Sequence, residues 1–234
     1  MSLINTEIQP FKAQAFHNGK FVEITQDSLK GKWSVIVFMP AAFTFNCPTE
    51  VEDAADNYAE FQKMGAEVYI VTTDTHFSHK VWHETSPAVG KARFPLVGDP
   101  THQLTRAFGV HIEEEGLALR GTFVINPEGV IKTAEIHSNE IARDVSETLR
   151  KLKAAQFTAA NPEKAADIYI KVANAKIDRD FLVKIIENPE VQFKIAPQNT
   201  FALADFMHRV GVIKNKPASF KDYFFDDAHV ASGS

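Results

Sequence analysis

Cysteine is the scarcest residue in this sequence of 234 amino acids: it occurs once, at Cys47. One cysteine cannot close a disulfide within the chain, so a fold stapled by internal disulfides is excluded. No apolar run is long enough to cross a bilayer, and no membrane span is expected. The N-terminus lacks a basic segment followed by an apolar stretch, so no secretory leader is read there and a reducing, cytoplasmic setting is expected. An excess of positive charge is also missing. The formal net charge is −5, which argues against non-specific nucleic-acid binding. Neither an internal repeat nor a low-complexity run is present.

What is present is 44% hydrophobic and 24% charged, enough for one globular domain with a substantial extension or for two small domains. The charge is unevenly placed. Residues 161–234 carry ten basic and ten acidic side chains, so the first 160 residues account for the whole −5.

The chain is organised around the stretch from Met39 to Glu50, which holds the cysteine. Before it, Val35 to Phe38 form a continuous apolar segment that reads as a buried strand. After it, Val51, Ala54, Ala55, Tyr58 and Phe61 recur at spacings of three and four and read as one helix. Pro48 suits the first turn of that helix, where its missing N–H costs nothing. Cys47 is thereby expected at a helix N-terminus, where unpaired N–H groups and the helix dipole favour the nucleophilic thiolate. The competing reading is a small buried hydrophobe without chemistry, which is the common fate of a lone cysteine.

Around this centre the pattern alternates strand and helix. Pro10 to Phe21 reads as extended chain turning at Asn18-Gly19, and Gly31-Lys32 as a second turn. Ala66 to Thr73 reads as a strand with Gly65 closing the helix before it. Thr75 to Glu84 reads as a helix, Phe94 to Val97 as a short strand and Thr101 to Phe108 as a helix. Arg120 to Ile125 and Val130 to Ile136 read as strands joined by a turn over Asn126 to Gly129. Ile141, Val145, Leu149 and Leu152 mark a helix capped at Ser138 or Asn139. Asn161-Pro162 is a break. Beyond it, helical spacing recurs over Pro162 to Ala175, after Asp178, and over Pro197 to Val210, and the end from Lys216 to Phe225 is rich in aromatic residues. Strands alternating with helices argue an α/β fold.

The pattern Pro40-x-x-x-Thr44-x-x-Cys47, continued as Pro48-Thr49-Glu50, resembles the active-site signature of the peroxiredoxins, and is nearest to their bacterial alkyl hydroperoxide reductase type. The resemblance runs from Met1 to about Ala160. It is also carried by Ser2-Leu3-Ile4-Asn5-Thr6, Asp74-Thr75-His76-Phe77-Ser78-His79-Lys80, Gly98-Asp99-Pro100-Thr101, Glu115-Gly116-Leu117-Ala118 and Thr122-Phe123-Val124. It implies a thioredoxin-like peroxiredoxin fold over residues 1–160; beyond the break, where the resemblance stops, the helical spacing makes 161–234 a helical C-terminal extension. The implied activity is thiol-dependent reduction of hydrogen peroxide and alkyl hydroperoxides through a cysteine sulfenic acid, without a cofactor or metal.

In the roles the resemblance implies, Cys47 is the nucleophile and Arg120 holds the thiolate and peroxide by charge. Thr44 bridges the two with its hydroxyl, and Pro40 shields the site from water. Glu50 orients groups near Arg120. Taken one by one, each has a plainer reading: a surface ion pair for Arg120, a turn hydrogen bond for Thr44, the end of a strand for Pro40. Trp82 and Phe43 are expected to fill core around the cysteine loop. His76, His79 and His83 recur at metal-site spacing on one helix, but no acidic or cysteine ligand is fixed beside them.

Members of this type carry a second, resolving cysteine in the C-terminal tail, and here there is none. A one-cysteine mechanism with an external thiol or disulfide reductase system as reductant is therefore expected. So is a homodimer assembling into a decameric ring, with Ser78 in the segment of the dimer–dimer contact. An oligomeric holdase chaperone or a redox-inactive structural ring is the alternative. The tail from Asp205 to Gly211 and from Lys214 to Ser219 resembles the end of sulfonate-type transporter substrate-binding proteins. Most of such a protein's two lobes is missing here, so a small helical packing module is expected rather than a ligand site.

Overall fold

Val35 and Val37 of one strand face one layer of core, and Ile36 and Phe38 face another, because successive side chains of a strand point to opposite faces. That alternation sets the whole architecture. In the computed structural model of the chain, which describes residues 2–188, a central sheet is covered on both faces. The hairpin β1 (Lys12–His17) and β2 (Lys20–Thr25) turns at Asn18 and Gly19, both at positive φ, as the sequence predicts. β3 (Trp33–Phe38) leads to the cysteine loop, α1 (Cys47–Asp56) and α2 (Tyr58–Lys63). β4 (Ala66–Thr72), α3 (His76–Thr85), β5 (Leu96–Gly98) and α4 (Gln103–Ala107) follow. A small hairpin, β6 (His111–Ile112) and β7 (Leu117–Ala118), precedes β8 (Arg120–Ile125) and β9 (Ile131–His137). Helices α5 (Val145–Ala160), α6 (Pro162–Ala173) and α7 (Arg179–Glu187) complete the described chain.

The seven-stranded sheet has the order β2-β1-β5-β4-β3-β8-β9. β3 pairs in parallel with β4 and β4 with β5, whereas β8 lies antiparallel to β3. One face packs Val35, Val68, Ile70 and Val124 against Val51, Phe61, Trp82 and Leu152 from α1, α2, α3 and α5. The other packs Ile36, Phe38, Tyr69, Val71 and Phe123 against Leu104 of α4 and against Phe108, Val110 and Leu29.

Four elements differ from expectation. The helix after Cys47 is two helices, because the Asn57 side chain donates to the Asp53 backbone carbonyl at 2.9 Å and to its carboxylate at 3.0 Å, competing with the helical ladder. The helix expected from Ser138 or Asn139 starts only at Val145, with Asp144 as its cap, and Ile141 lies outside it and exposed. The preceding residues bond elsewhere: the Asn139 carbonyl accepts from Arg120, and the Arg143 N–H donates to Glu50. Phe94 sits in the core ahead of β5 rather than in it, and the β6–β7 hairpin carries no signal in the sequence. Asn161-Pro162 and Asp178 act as read, with Pro162 opening α6 and the Asp178 carboxylate accepting the Phe181 N–H at 2.8 Å. The helix expected over Pro197 to Val210 and the aromatic end lie outside the described residues. Among the described residues no helix is long and apolar enough to cross a membrane.

Candidate active site

Cys47 is the first residue of α1, at the carboxyl end of the parallel strands, and is fully buried. Pro48 occupies the first turn. Thr44 Oγ1 lies 2.8 Å from Cys47 Sγ and 3.1 Å from the Ala41 carbonyl oxygen. A hydroxyl has one proton to give. Facing a thiol, it accepts S–H and donates to the Ala41 carbonyl. Facing a thiolate, it turns its proton to the sulfur. The same rotor thus serves both states without backbone movement.

Arg120, at the start of β8, is 3% exposed and places Nη1 3.5 Å from Cys47 Sγ. Its Nε donates to the Asn139 carbonyl at 2.9 Å, and Nη1 also donates to Glu50 Oε2. Glu50, one turn into α1, is 5% exposed and satisfied at both oxygens. Its Oε1 accepts from the Arg143 backbone N–H at 2.9 Å and from Arg143 Nε at 3.0 Å. Arg143 is anchored in turn on the Gly121 carbonyl at 2.9 Å and Thr122 Oγ1 at 3.2 Å. Burial alone pushes the Glu50 carboxyl up; hydrogen bonds and charge from Arg143, then the charge of Arg120, reverse this and hold it below the ordinary carboxylate range. Two buried guanidinium groups and one carboxylate leave one positive charge uncompensated. Cys47 Sγ lies 3.5 Å from the Arg120 end of that cluster.

Thus the fold brings Cys47, Thr44 and Arg120 together, and Glu50 lies beside Arg120. Pro40 is buried one residue past Met39, and its carbonyl accepts from Thr73 Oγ1 at 3.3 Å. Trp82 fills core as expected, but Phe43 does not. It is 59% exposed, with a left-handed backbone at φ 60°, and only leans on the Trp82 ring at 6.0 Å. Arg143 was not legible in the sequence, since no local pattern surrounds it and its partner Glu50 is 93 residues away. The three histidines of α3 take separate partners: His79 bonds Thr72 and the Leu96 carbonyl, His83 the Ala92 carbonyl, and His76 stacks on Phe77 and Phe21. Burial pushes the His79 imidazole down to about 4, so it is neutral near pH 7.

A thioredoxin-like sheet that presents a cysteine at a helix N-terminus, between a hydroxyl and a buried guanidinium, defines an enzyme of the peroxiredoxin class. Comparison with known proteins narrows this. A family profile described as AhpC/TSA family matches residues 4–134. The chain is 86% identical over 162 residues to an alkyl hydroperoxide reductase C of Pseudomonas aeruginosa (strain UCBPP-PA14), covering 69% of this chain and 87% of that one. Identity is 57% over 163 residues to the alkyl hydroperoxide reductase C of Amphibacillus xylanus, with the same shares covered. The crystal structure of Enterococcus faecalis AhpC superposes with a TM-score of 0.68 at 42% identity, over 69% of this chain and 97% of that one. The chain belongs to the AhpC/TSA family.

Proposed function

We propose that the protein reduces hydrogen peroxide and small organic hydroperoxides by a one-cysteine mechanism. The Cys47 thiolate attacks the terminal peroxide oxygen and the O–O bond breaks. The leaving oxygen takes a proton and departs as water or an alcohol, and the sulfur, oxidised by two electrons, becomes a sulfenic acid. Negative charge moves from sulfur to the leaving oxygen during this step. Thr44 and Arg120 are the donors that follow it, with Pro40 keeping water out. The observation that carries this reading is the double coordination of Cys47 Sγ, by Thr44 Oγ1 at 2.8 Å and Arg120 Nη1 at 3.5 Å.

No second cysteine exists in the sequence, so the sulfenic acid has no partner in the chain. One external thiol condenses with it, releasing water and leaving a mixed disulfide. A second thiol then frees Cys47 and departs as the oxidised disulfide. A reducing cytoplasm supplies such thiols. The fully buried sulfur requires the loop over residues 43–46 to move before a thiol reaches it. The exposed rings of Phe21 and Phe77, 5.2 Å apart, together with exposed Phe43 and Val81, support assembly of homodimers into a decameric ring. The end of α5 at Ala160 and the fresh start of α6 at Pro162 support a division into a peroxiredoxin domain over 1–160 and a helical extension over 161–234.

Mass spectrometry after one equivalent of hydrogen peroxide tests the mechanism. The expected product is a sulfenic acid on Cys47 that becomes a mixed disulfide on adding a small thiol, with Cys47→Ser inert. A Cys47–Cys47 disulfide between subunits as the main product overturns the one-cysteine route.

A further inference from the structure

The loop that carries Thr44 is not held by its own sequence. It contains Phe43 in the left-handed region, a conformation that a bulky side chain keeps only when its surroundings hold it there. Those surroundings are the end of β4 and the turn that follows, which bind the loop in register. The Met39 N–H donates to the Val71 carbonyl at 2.9 Å, the Thr73 hydroxyl to the Pro40 carbonyl at 3.3 Å, and the Ala42 N–H to Asp74 Oδ2 at 2.6 Å. The last bond is charge-assisted and falls next to the strained residue.

We propose that Asp74 is a positioning residue for the peroxide reaction: by accepting the Ala42 N–H it fixes residues 41–44 in the conformation that sets the Thr44 hydroxyl on Cys47 Sγ. The inference rests on the peroxidase reading above. Asp74 touches neither sulfur nor peroxide and acts through the loop. Its own position is fixed from behind. Thr72 Oγ1 lies 2.7 Å from Asp74 Oδ2 and accepts the Asp74 N–H at 3.1 Å. Buried His79 backs Thr72, with Nε2 2.8 Å from Thr72 Oγ1 and Nδ1 donating to the Leu96 carbonyl at 3.1 Å. Space for the turn is set independently by Gly98 of β5. A Cβ there would lie 2.7 Å from the Asp74 carbonyl oxygen and 2.7 Å from the His76 amide nitrogen. The absent side chain is what lets the Asp74 turn seat against the sheet.

The test is a double-mutant cycle on the second-order rate constant for hydrogen peroxide, measured in stopped flow on the full chain, with circular dichroism to establish folding. Asp74→Ala is expected to slow the reaction at least tenfold, and Asp74→Asn, which keeps an acceptor oxygen, to stay within about threefold of the parent. In the Thr44→Ala background, Asp74→Ala is expected to change the rate less than twofold, because the group it positions is already gone. If Asp74→Ala does not fold, Asp74→Ser, whose shorter hydroxyl cannot reach the Ala42 N–H, is read in its place. Asp74→Ala, or Asp74→Ser read in its place, within twofold of the parent, or losses that multiply with Thr44→Ala, overturn the inference. A parent no faster than Cys47→Ser takes down the peroxidase reading and this inference together.

Discussion

Two arginine–carboxylate clusters of the described chain could hardly differ more. At the cysteine, Arg120, Glu50 and Arg143 have side chains only 3%, 5% and 6% exposed. Between α6 and α7, Arg179 bridges Glu163 at 3.1 Å and Asp167 at 2.6 Å with side chains 41%, 70% and 53% exposed. Geometry is good in both. In the first, every oxygen of Glu50 is bonded and burial shuts solvent out, so each charge depends on the others. In the second, water competes for every group, and the pairs add little. The apolar surface divides in the same way. The cysteine helix buries Cys47 and Val51 completely, whereas α6 and α7 bury only Ala166 and Leu182 and leave Ile168, Tyr169, Val172 and Phe181 exposed. Ion pairs become structural or chemical devices only when the fold removes water around them.

Three measurements press on that contrast. The largest effect is expected from Glu50→Gln. Its amide places a donor against two guanidinium groups and removes the carboxylate they share, costing about 3–5 kcal/mol in urea unfolding. A loss under about 1 kcal/mol would mean the cluster is wetter than its burial indicates.

A smaller effect is expected from acid. Unfolded, the His79 imidazole takes a proton near its ordinary 6.5; folded, it does so only near 4, because burial disfavours the charged ring. Between those values the unfolded state binds more protons, so the stability that His79 contributes is present above about pH 6.5 and falls away toward pH 4. This amounts to about 3 kcal/mol. Glu50, held below the ordinary carboxylate value, adds a loss of the same sign at lower pH, as its folded carboxyl is protonated. Urea midpoints of the parent should therefore drop from pH 7 to pH 4.5, and those of His79→Gln should drop less. Parallel curves would contradict the buried neutral ring.

The smallest effect is expected from Arg179→Ala. Its urea midpoint and its peroxide rate should both match the parent, and a clear fall in either would erase the distinction between the clusters.

The sequence carried most of the sheet. Asn18-Gly19 announces its hairpin, Pro48 its helix start, and the continuous apolar run before the cysteine a buried strand, because each of these preferences acts within a few residues. It also carried Cys47, Thr44 and Arg120, through the spacing of one motif and the resemblance it supports. The same local logic misplaced the start of α5, where tertiary bonds from residues 139 and 143 claim the backbone, and it placed Phe43 in the core.

What the chain determined on its own, then, is where its one cysteine sits: after a strand, at the mouth of a helix. Which groups surround that sulfur was decided only by the tertiary structure. Arg143 reaches Glu50 across 93 residues and Asp74 reaches Ala42 across 32. Hydrogen bonds of that separation leave no periodic trace, since their partners meet only after the sheet has assembled and excluded water between them.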